Sequence, residues 1–185
     1  AILEGGTAAL AVASGHAAVT LAILNICKCG DHFVAAKSLY GGTINLFSTT
    51  LKRFGVEVTF IDQDAPVEEL QKAIKPNTRL VFAETLTNPG MEVLDFEKFS
   101  KLAAGNGLPL IIDNTFPTPV LCQPFRYGAN IIIHSTTKFI EGHATSLGGL
   151  IVDGGNFNWA NGKFPEFTEP NASYHGVSFY NQFKE

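Results

Sequence analysis

Seven apolar runs of strand length constrain this chain more than any other feature: "ALAVAS" (9–14), "HFVAA" (32–36), "VEVTFI" (56–61), "RLVFAET" (79–85), "LPLIIDN" (108–114), "NIIIHS" (130–135) and "GGLIVDGG" (148–155). Most are apolar at successive positions rather than at alternate ones, the pattern of strands covered on both faces. Helical patterning occupies 16–26, 42–54, 66–74 and 95–104, between most of these runs. Strand and helix therefore alternate, which predicts an α/β fold with a mainly parallel sheet and right-handed crossovers. Before the run at 130 the helical signal lapses, because "TFPTPVLCQPFRYGA" holds too many prolines for a long crossover helix.

With 185 residues, 45% of them hydrophobic and 16% charged, the chain can bury a sizeable core as one soluble globular domain. A net charge of −4 without any cluster of Lys or Arg argues against nucleic acid as a partner. Cys27, Cys29 and Cys122 lack CxxC spacing and read as ordinary thiols in a reducing cytoplasm. The start has no basic leader and no run is long enough to cross a bilayer, so neither export nor a membrane is expected. Five histidines without HExxH or comparable spacing predict no metal site. The opening "AILEGG" reads as a helix end with capping glycines, and the lone methionine is Met91, so a piece of a longer polypeptide is expected. Beyond residue 155 the composition turns to Gly, Asn, Pro and aromatics without either period, dividing the chain into 1–155 and an irregular excursion over 156–185.

Ligands of open parallel sheets collect beyond the carboxyl ends of the strands, so the polar residues that follow the apolar runs carry weight. Ser14-Gly15-His16 closes the first run and opens a helix. Free backbone N–H groups and the positive end of the dipole there suit a phosphate, although such turns also arise from packing alone. Asp113 leaves the most apolar run either as a half-buried carboxylate needing a cationic partner or as a turn aspartate ahead of Asn114 and Thr115. His134, Ser135, Thr136 and Thr137 lead to Lys138, placed to open a helix, where the dipole would sharpen its amine as a nucleophile; the alternative is a surface lysine. Tyr40, in "KSLYGGT", is a core lid or an aromatic plate, with Gly41 and Gly42 letting the chain approach a flat ligand. A phosphate cradle (Gly15, His16, Ser135, Thr137), a plate (Tyr40), a carboxylate (Asp113) and an amine (Lys138) are what a flat phosphorylated aldehyde with a pyridine nitrogen requires, namely pyridoxal 5'-phosphate (PLP). No GxGxxG or Walker A motif supports a nucleotide instead, and a cofactor-free α/β binding domain is the rival of a different class.

The segments "LEGGTAALAVASGHAAVTLAILNI", "SLYGGTINLF", "FAETLTNPGMEVLD", "IIDNTFPTPVLCQP", "GANIIIHSTTKFIEGHATSLGGLIVDGGNFNW" and "FPEFTEPNASYHG" together resemble the Cys/Met-metabolism family of PLP-dependent enzymes over nearly the whole chain. The resemblance implies the large domain of a fold-type I PLP-dependent transferase, with 1–155 as its central part and 156–185 leading toward a small C-terminal domain that is absent. It implies that Lys138 holds the cofactor and that Asp113 pairs with its ring nitrogen. Tyr40 would stack on the ring and assist proton transfer, while Gly15, His16, Ser135 and Thr137 hold the phosphate. Asn88 would sit by the phenolic oxygen and the substrate carboxylate, with Glu84 a further candidate from the same segment.

The "DGGNFNWANGKFPEFTEPNASYHG" stretch resembles the branch that replaces the acetate of O-acetyl-L-homoserine with sulfide or a thiol in methionine biosynthesis. Methionine γ-elimination, cystathionine formation and use of the O-succinyl ester are the neighbouring activities. A cytoplasmic homo-oligomer, a tetramer in this family, with active sites shared between subunits, is implied too. Three positions depart from the family pattern: His16 stands in place of Gln or Met, and Glu141 and Ala144 in place of glycines. Family members are longer, and they use an N-terminal Tyr-x-Arg segment and a C-terminal arginine that this chain lacks.

Overall fold

The computed structural model describes residues 1–183, so the last two positions of the 156–185 excursion lie outside the described residues. In chain order the elements are a 3-10 turn at Ile2–Glu4, β1 (Ala8–Val12), α1 (Gly15–Ile26), β2 (His32–Ala36), α2 (Gly41–Asn45), β3 (Glu57–Ile61), α3 (Val67–Lys72), β4 (Thr78–Glu84), α4 (Phe96–Gly105), β5 (Leu110–Asp113), α5 (Thr118–Leu121), β6 (Ile131–Ser135) and β7 (Gly149–Asp153). The seven strands form one sheet in the order β1-β7-β6-β5-β4-β2-β3. Strands β6, β5, β4, β2 and β3 run parallel, and β7 is antiparallel to both of its neighbours. That arrangement brings the carboxyl ends of β1, β2, β4, β5 and β6 to one rim.

Central strands are buried as their unbroken apolar runs require: Phe33, Val34, Phe82, Ile111 and Ile132 are inaccessible. Phe47 packs edge-on between Phe33 and Phe82, with ring centroids 4.8 and 5.0 Å away, the offset geometry favoured by aromatic quadrupoles. β1 does not meet the expectation of burial on both faces, for it is an edge strand and Leu10 is 58% exposed. An apolar run cannot distinguish a central strand from an edge strand.

Local signals set the helix starts. Ser14 caps α1 by accepting from the Ala17 N–H at 3.0 Å, and Asp95 caps α4 by accepting from the Lys98 N–H at 3.0 Å. After α2 the chain widens into a π turn, Leu46–Thr50, and then tightens into a 3-10 turn, Leu51–Phe54, which ends on Gly55 at φ 73°. The proline-rich connection holds only α5 and a 3-10 turn at Pro124–Tyr127, as its composition predicts. Ile2–Glu4 does end on a left-handed glycine, Gly5 at φ 77°.

One buried histidine couples this core to pH. His32, at the start of β2, is inaccessible, with Nδ1 2.8 Å from the Thr78 hydroxyl and Nε2 2.8 Å from that of Thr59. Desolvation, with Lys75 adding to it, pushes its pKa down to about 4. A depressed pKa means that the neutral ring is the native form. Its stabilisation is complete above the unfolded value near 6.5 and is lost as pH falls toward 4. The loss should reach up to about 3 kcal/mol in that window. Urea titrations of the full-length protein at several pH values should show it, and His32→Gln should flatten the slope.

The chain divides into two compact units, Ala1–Gly155 and Asn156–Glu185. The second is built on aromatic contacts around Trp159, whose centroid lies 4.7 Å from Phe157, 5.1 Å from Phe164 and 4.8 Å from Phe167. It contains α6 (Pro165–Thr168), a 3-10 turn at Ala172–Tyr174 and α7 (Phe179–Phe183). Among the described residues no helix is long and apolar enough to cross a membrane. No group of three or more His, Cys, Asp or Glu there is placed to hold a metal ion.

Candidate active site

A cleft of about 530 Å³ opens on the rim of the Ala1–Gly155 unit. Gly15, His16, Tyr40, Asn88, Asp113, Ser135, Thr137 and Lys138 all line it, so the eight residues expected to hold the cofactor come to one place. The topology explains the convergence. Parallel strands end together, and each turn that leaves a strand end contributes one or two side chains.

The cradle depends on close backbone approach. A Cβ on Gly15 would lie 2.5 Å from the Ser135 Cβ, and one on Gly149 would lie 2.1 Å from the Ser14 carbonyl oxygen. Glycine at both positions lets α1 begin directly against β6 and β7. The first main-chain bond of α1 is Ala18 N–H to Ser14, and Ser14 Oγ takes the Ala17 N–H, so the Gly15 and His16 N–H groups have no helical acceptor. A 12-residue helix with free N–H groups aimed at the cleft suits an anion. The Thr137 hydroxyl already accepts from the Gly148 N–H at 3.1 Å, which fixes its orientation.

Asp113 combines the two readings its sequence allowed. Its Oδ1 accepts from the Thr115 N–H at 2.9 Å and from the Thr115 hydroxyl at 2.5 Å, a turn-aspartate arrangement, yet the carboxyl also borders the cleft. Burial pushes its pKa up, and the Thr115 hydrogen bonds oppose that without cancelling it. A cationic ring nitrogen in the cleft would satisfy this carboxyl. Thr115 also accepts the Ser135 N–H at 2.8 Å and so ties the tips of β5 and β6 together. Sequence reasoning treated Thr115 only as a turn residue, and nothing in "IIDNT" signals its second bond, 20 residues away.

Other expectations change. Lys138 does not open a helix: residues 136–141 form turns, with the Lys138 carbonyl accepting from Gly142 at 2.8 Å. The dipole argument for its amine therefore lapses, and what brings Lys138 to the cleft is the loop that follows β6. His134 turns away from the cleft, because it alternates with Ser135 along β6. It is 1% exposed, with Nε2 2.5 Å from Oε1 of Glu4.

Gly42 makes room for two rings rather than for a ligand. A Cβ there would lie 2.6 Å from Tyr40 Cε1 and 2.7 Å from His16 Cε1, whereas Gly41 faces open space. The His16 and Tyr40 rings meet edge-on with centroids 6.0 Å apart. Glu141, one of the departures from the family pattern, closes its loop by accepting from the N–H groups of His143 and Thr145 at 2.9 and 3.1 Å. Ala144 stands at φ 54°, where a glycine would avoid a cost of about 1 kcal/mol.

The residues fit PLP: N–H groups without a helical acceptor at a glycine cradle for phosphate, a partly buried carboxyl bordering the cleft, a half-exposed ring, and an amine at the mouth. An open, mainly parallel sheet with this set on its rim defines the fold-type I class of PLP-dependent enzymes. The comparison with protein families narrows it, for the Cys/Met metabolism PLP-dependent enzyme model matches residues 1–173, and the chain belongs to that family.

Among curated relatives, the O-acetyl-L-homoserine sulfhydrylase of Leptospira meyeri is 54% identical over 99% of this chain. The homocysteine/cysteine synthase of Saccharomyces cerevisiae is 49% identical over 98%. The chain spans 41% of the length of each. A crystal structure of an O-acetylhomoserine (thiol)-lyase from Campylobacter jejuni, with N'-pyridoxyl-lysine-5'-monophosphate, superposes with a TM-score of 0.93 at 37% identity, covering 97% of this chain and 45% of that one. An O-acetylhomoserine sulfhydrylase of Wolinella succinogenes, from a study of sulfur transfer in methionine biosynthesis, gives 0.82 at 37%, covering 98% and 49%.

Proposed function

We propose that the full-length protein to which this chain corresponds replaces the acetate of O-acetyl-L-homoserine with sulfide, yielding L-homocysteine and acetate. The observation that carries the reading is the 54% identity to a sulfhydrylase with that substrate in its name, across a chain whose cleft gathers the residues expected to hold the cofactor. Bound in the cleft, PLP supplies an electron sink for charge that develops at the substrate Cα.

The residues have separable tasks. The Lys138 amine holds the cofactor aldehyde between turnovers and, once displaced by substrate, carries protons at Cα and Cβ. Asp113 keeps the ring nitrogen protonated. Tyr40 lies against the ring, and its hydroxyl assists proton transfer. The Gly15 and His16 N–H groups, with the Ser135 and Thr137 hydroxyls, take the phosphate. Asn88 orients the phenolic oxygen and the substrate carboxylate. In this reading Ala1–Gly155 is the central part of the cofactor-binding domain and the following segment leads out of it. The family resemblance further supports a cytoplasmic homo-tetramer with sites shared between subunits.

The test is product analysis on the full-length protein loaded with PLP. Homocysteine and acetate should form from O-acetyl-L-homoserine and sulfide with kcat/KM at least about tenfold above that for the O-succinyl ester. Dominant release of methanethiol from methionine, or of succinate from the other ester, would assign the protein to a neighbouring activity.

A further inference from the structure

The last residue of β4 has no task in the reaction as described, yet it is built into the site more firmly than several residues that do. Glu84 is 6% exposed. Its Oε1 accepts the Tyr40 N–H at 2.8 Å, across 44 residues of chain, and the carboxyl also accepts from the Asn88 N–H. In the sheet it is the register partner of Asp113, so the two carboxyls leave adjacent strands side by side and both border the cleft. Tyr40 closes the turn after β2, just ahead of α2, and Asn88 lies in the loop after β4, so one side chain grips both walls of the cleft from beneath.

We propose that Glu84 is a positioning residue for the cofactor: its carboxyl sets the spacing of the Tyr40 and Asn88 loops, between which the flat ring must fit. The proposal rests on the PLP reading above. Burying a carboxyl to satisfy two N–H groups is unfavourable unless the geometry it enforces is needed, since an apolar strand end with solvated loops would fold at less cost. The electrostatics of the carboxyl pair favour the same role. Desolvation first, and the neighbouring Asp113 second, push Glu84 up to about 8, so near pH 7 it is mostly an uncharged acid. An uncharged Glu84 places no second negative charge beside Asp113, the carboxyl that faces the ring nitrogen in this reading. It also makes glutamine a close mimic, which still offers an acceptor oxygen to the Tyr40 N–H.

The experiment uses the full-length protein, stripped of cofactor and reconstituted with PLP, with affinity and visible circular dichroism of the bound cofactor as readouts. Glu84→Met keeps the side-chain volume and removes the acceptor. It should weaken PLP binding by about tenfold and reduce or invert the visible dichroism, because two N–H groups lose their partner. Glu84→Gln should restore most of both. If Glu84→Met folds poorly, Glu84→Ala serves in its place, since water can enter the vacated space and keep the sheet end solvated.

A variant without the acceptor that binds PLP as tightly as the parent, with the same dichroism, would overturn the positioning role and leave the PLP reading intact. Loss in Glu84→Gln as deep as in Glu84→Met would overturn it too, showing that charge rather than hydrogen bonding matters. Failure of the parent protein itself to bind PLP would overturn both readings.

Discussion

Lys138→Ala in the full-length protein should lower sulfhydrylase turnover by at least about 10³-fold, because in the proposed mechanism one amine serves as both covalent anchor and proton carrier. Borohydride reduction of the PLP-loaded parent followed by peptide mapping should place a phosphopyridoxyl group on Lys138, and the variant should carry none. Cofactor would still enter the variant, since the Gly15 and His16 N–H groups and Asp113 do not depend on this side chain. The amine is also replaceable in principle, as Lys138 lies in an exposed loop whose backbone bonds, to Ser135 and from Gly142, survive truncation. An adduct on another lysine, or full activity in Lys138→Ala, would remove this residue from the reaction.

Asp113→Asn should have the second-largest effect. The amide matches the carboxylate in size and can still accept the Thr115 N–H, so the turn at the end of β5 should persist. In the proposed role, what is lost is the negative charge opposite the ring nitrogen. Without it the ring is not kept protonated and is a poorer electron sink, and turnover should fall by about 10²–10³-fold, the scale seen when one preorganised electrostatic group is removed. Affinity for PLP should fall less than turnover. A titration of bound-cofactor absorbance should show the ring nitrogen losing its proton at lower pH than in the parent. Unchanged turnover with an unchanged titration would show that Asp113 is a turn aspartate and nothing more.

The residues that line the cleft could be gathered from the sequence because each lies at or after the end of a strand. Runs such as "LPLII" and "NIII" announce buried strands without help from context, and a parallel sheet must bring their carboxyl ends to one rim. Asp113 and Ser135 are therefore placed once the strands are recognised, and Ser14-Gly15-His16 once the first helix is. The rest depended on contacts between segments far apart in the chain. Nothing around Glu84 reveals that its oxygen meets the N–H of Tyr40, and nothing around Gly149 reveals that Ser14 lies where a side chain would be. The helix expected at Lys138 was a reading of local pattern that the loop over the cleft overrode.

Composition and periodicity by themselves determined the α/β class, the parallel core and the order of elements, since hydrophobic period and glycine or proline punctuation are properties of short segments. Only the tertiary structure decided that β1 is an edge strand, that β7 runs against both its neighbours, that His134 faces away from the cleft while Ser135 faces it, and that the Glu84 and Asp113 carboxyls stand side by side. The physical reason is that strand order, register and the protonation of buried neighbours are set by pairwise contacts across tens of residues, and the free energy of such a contact belongs to neither segment alone.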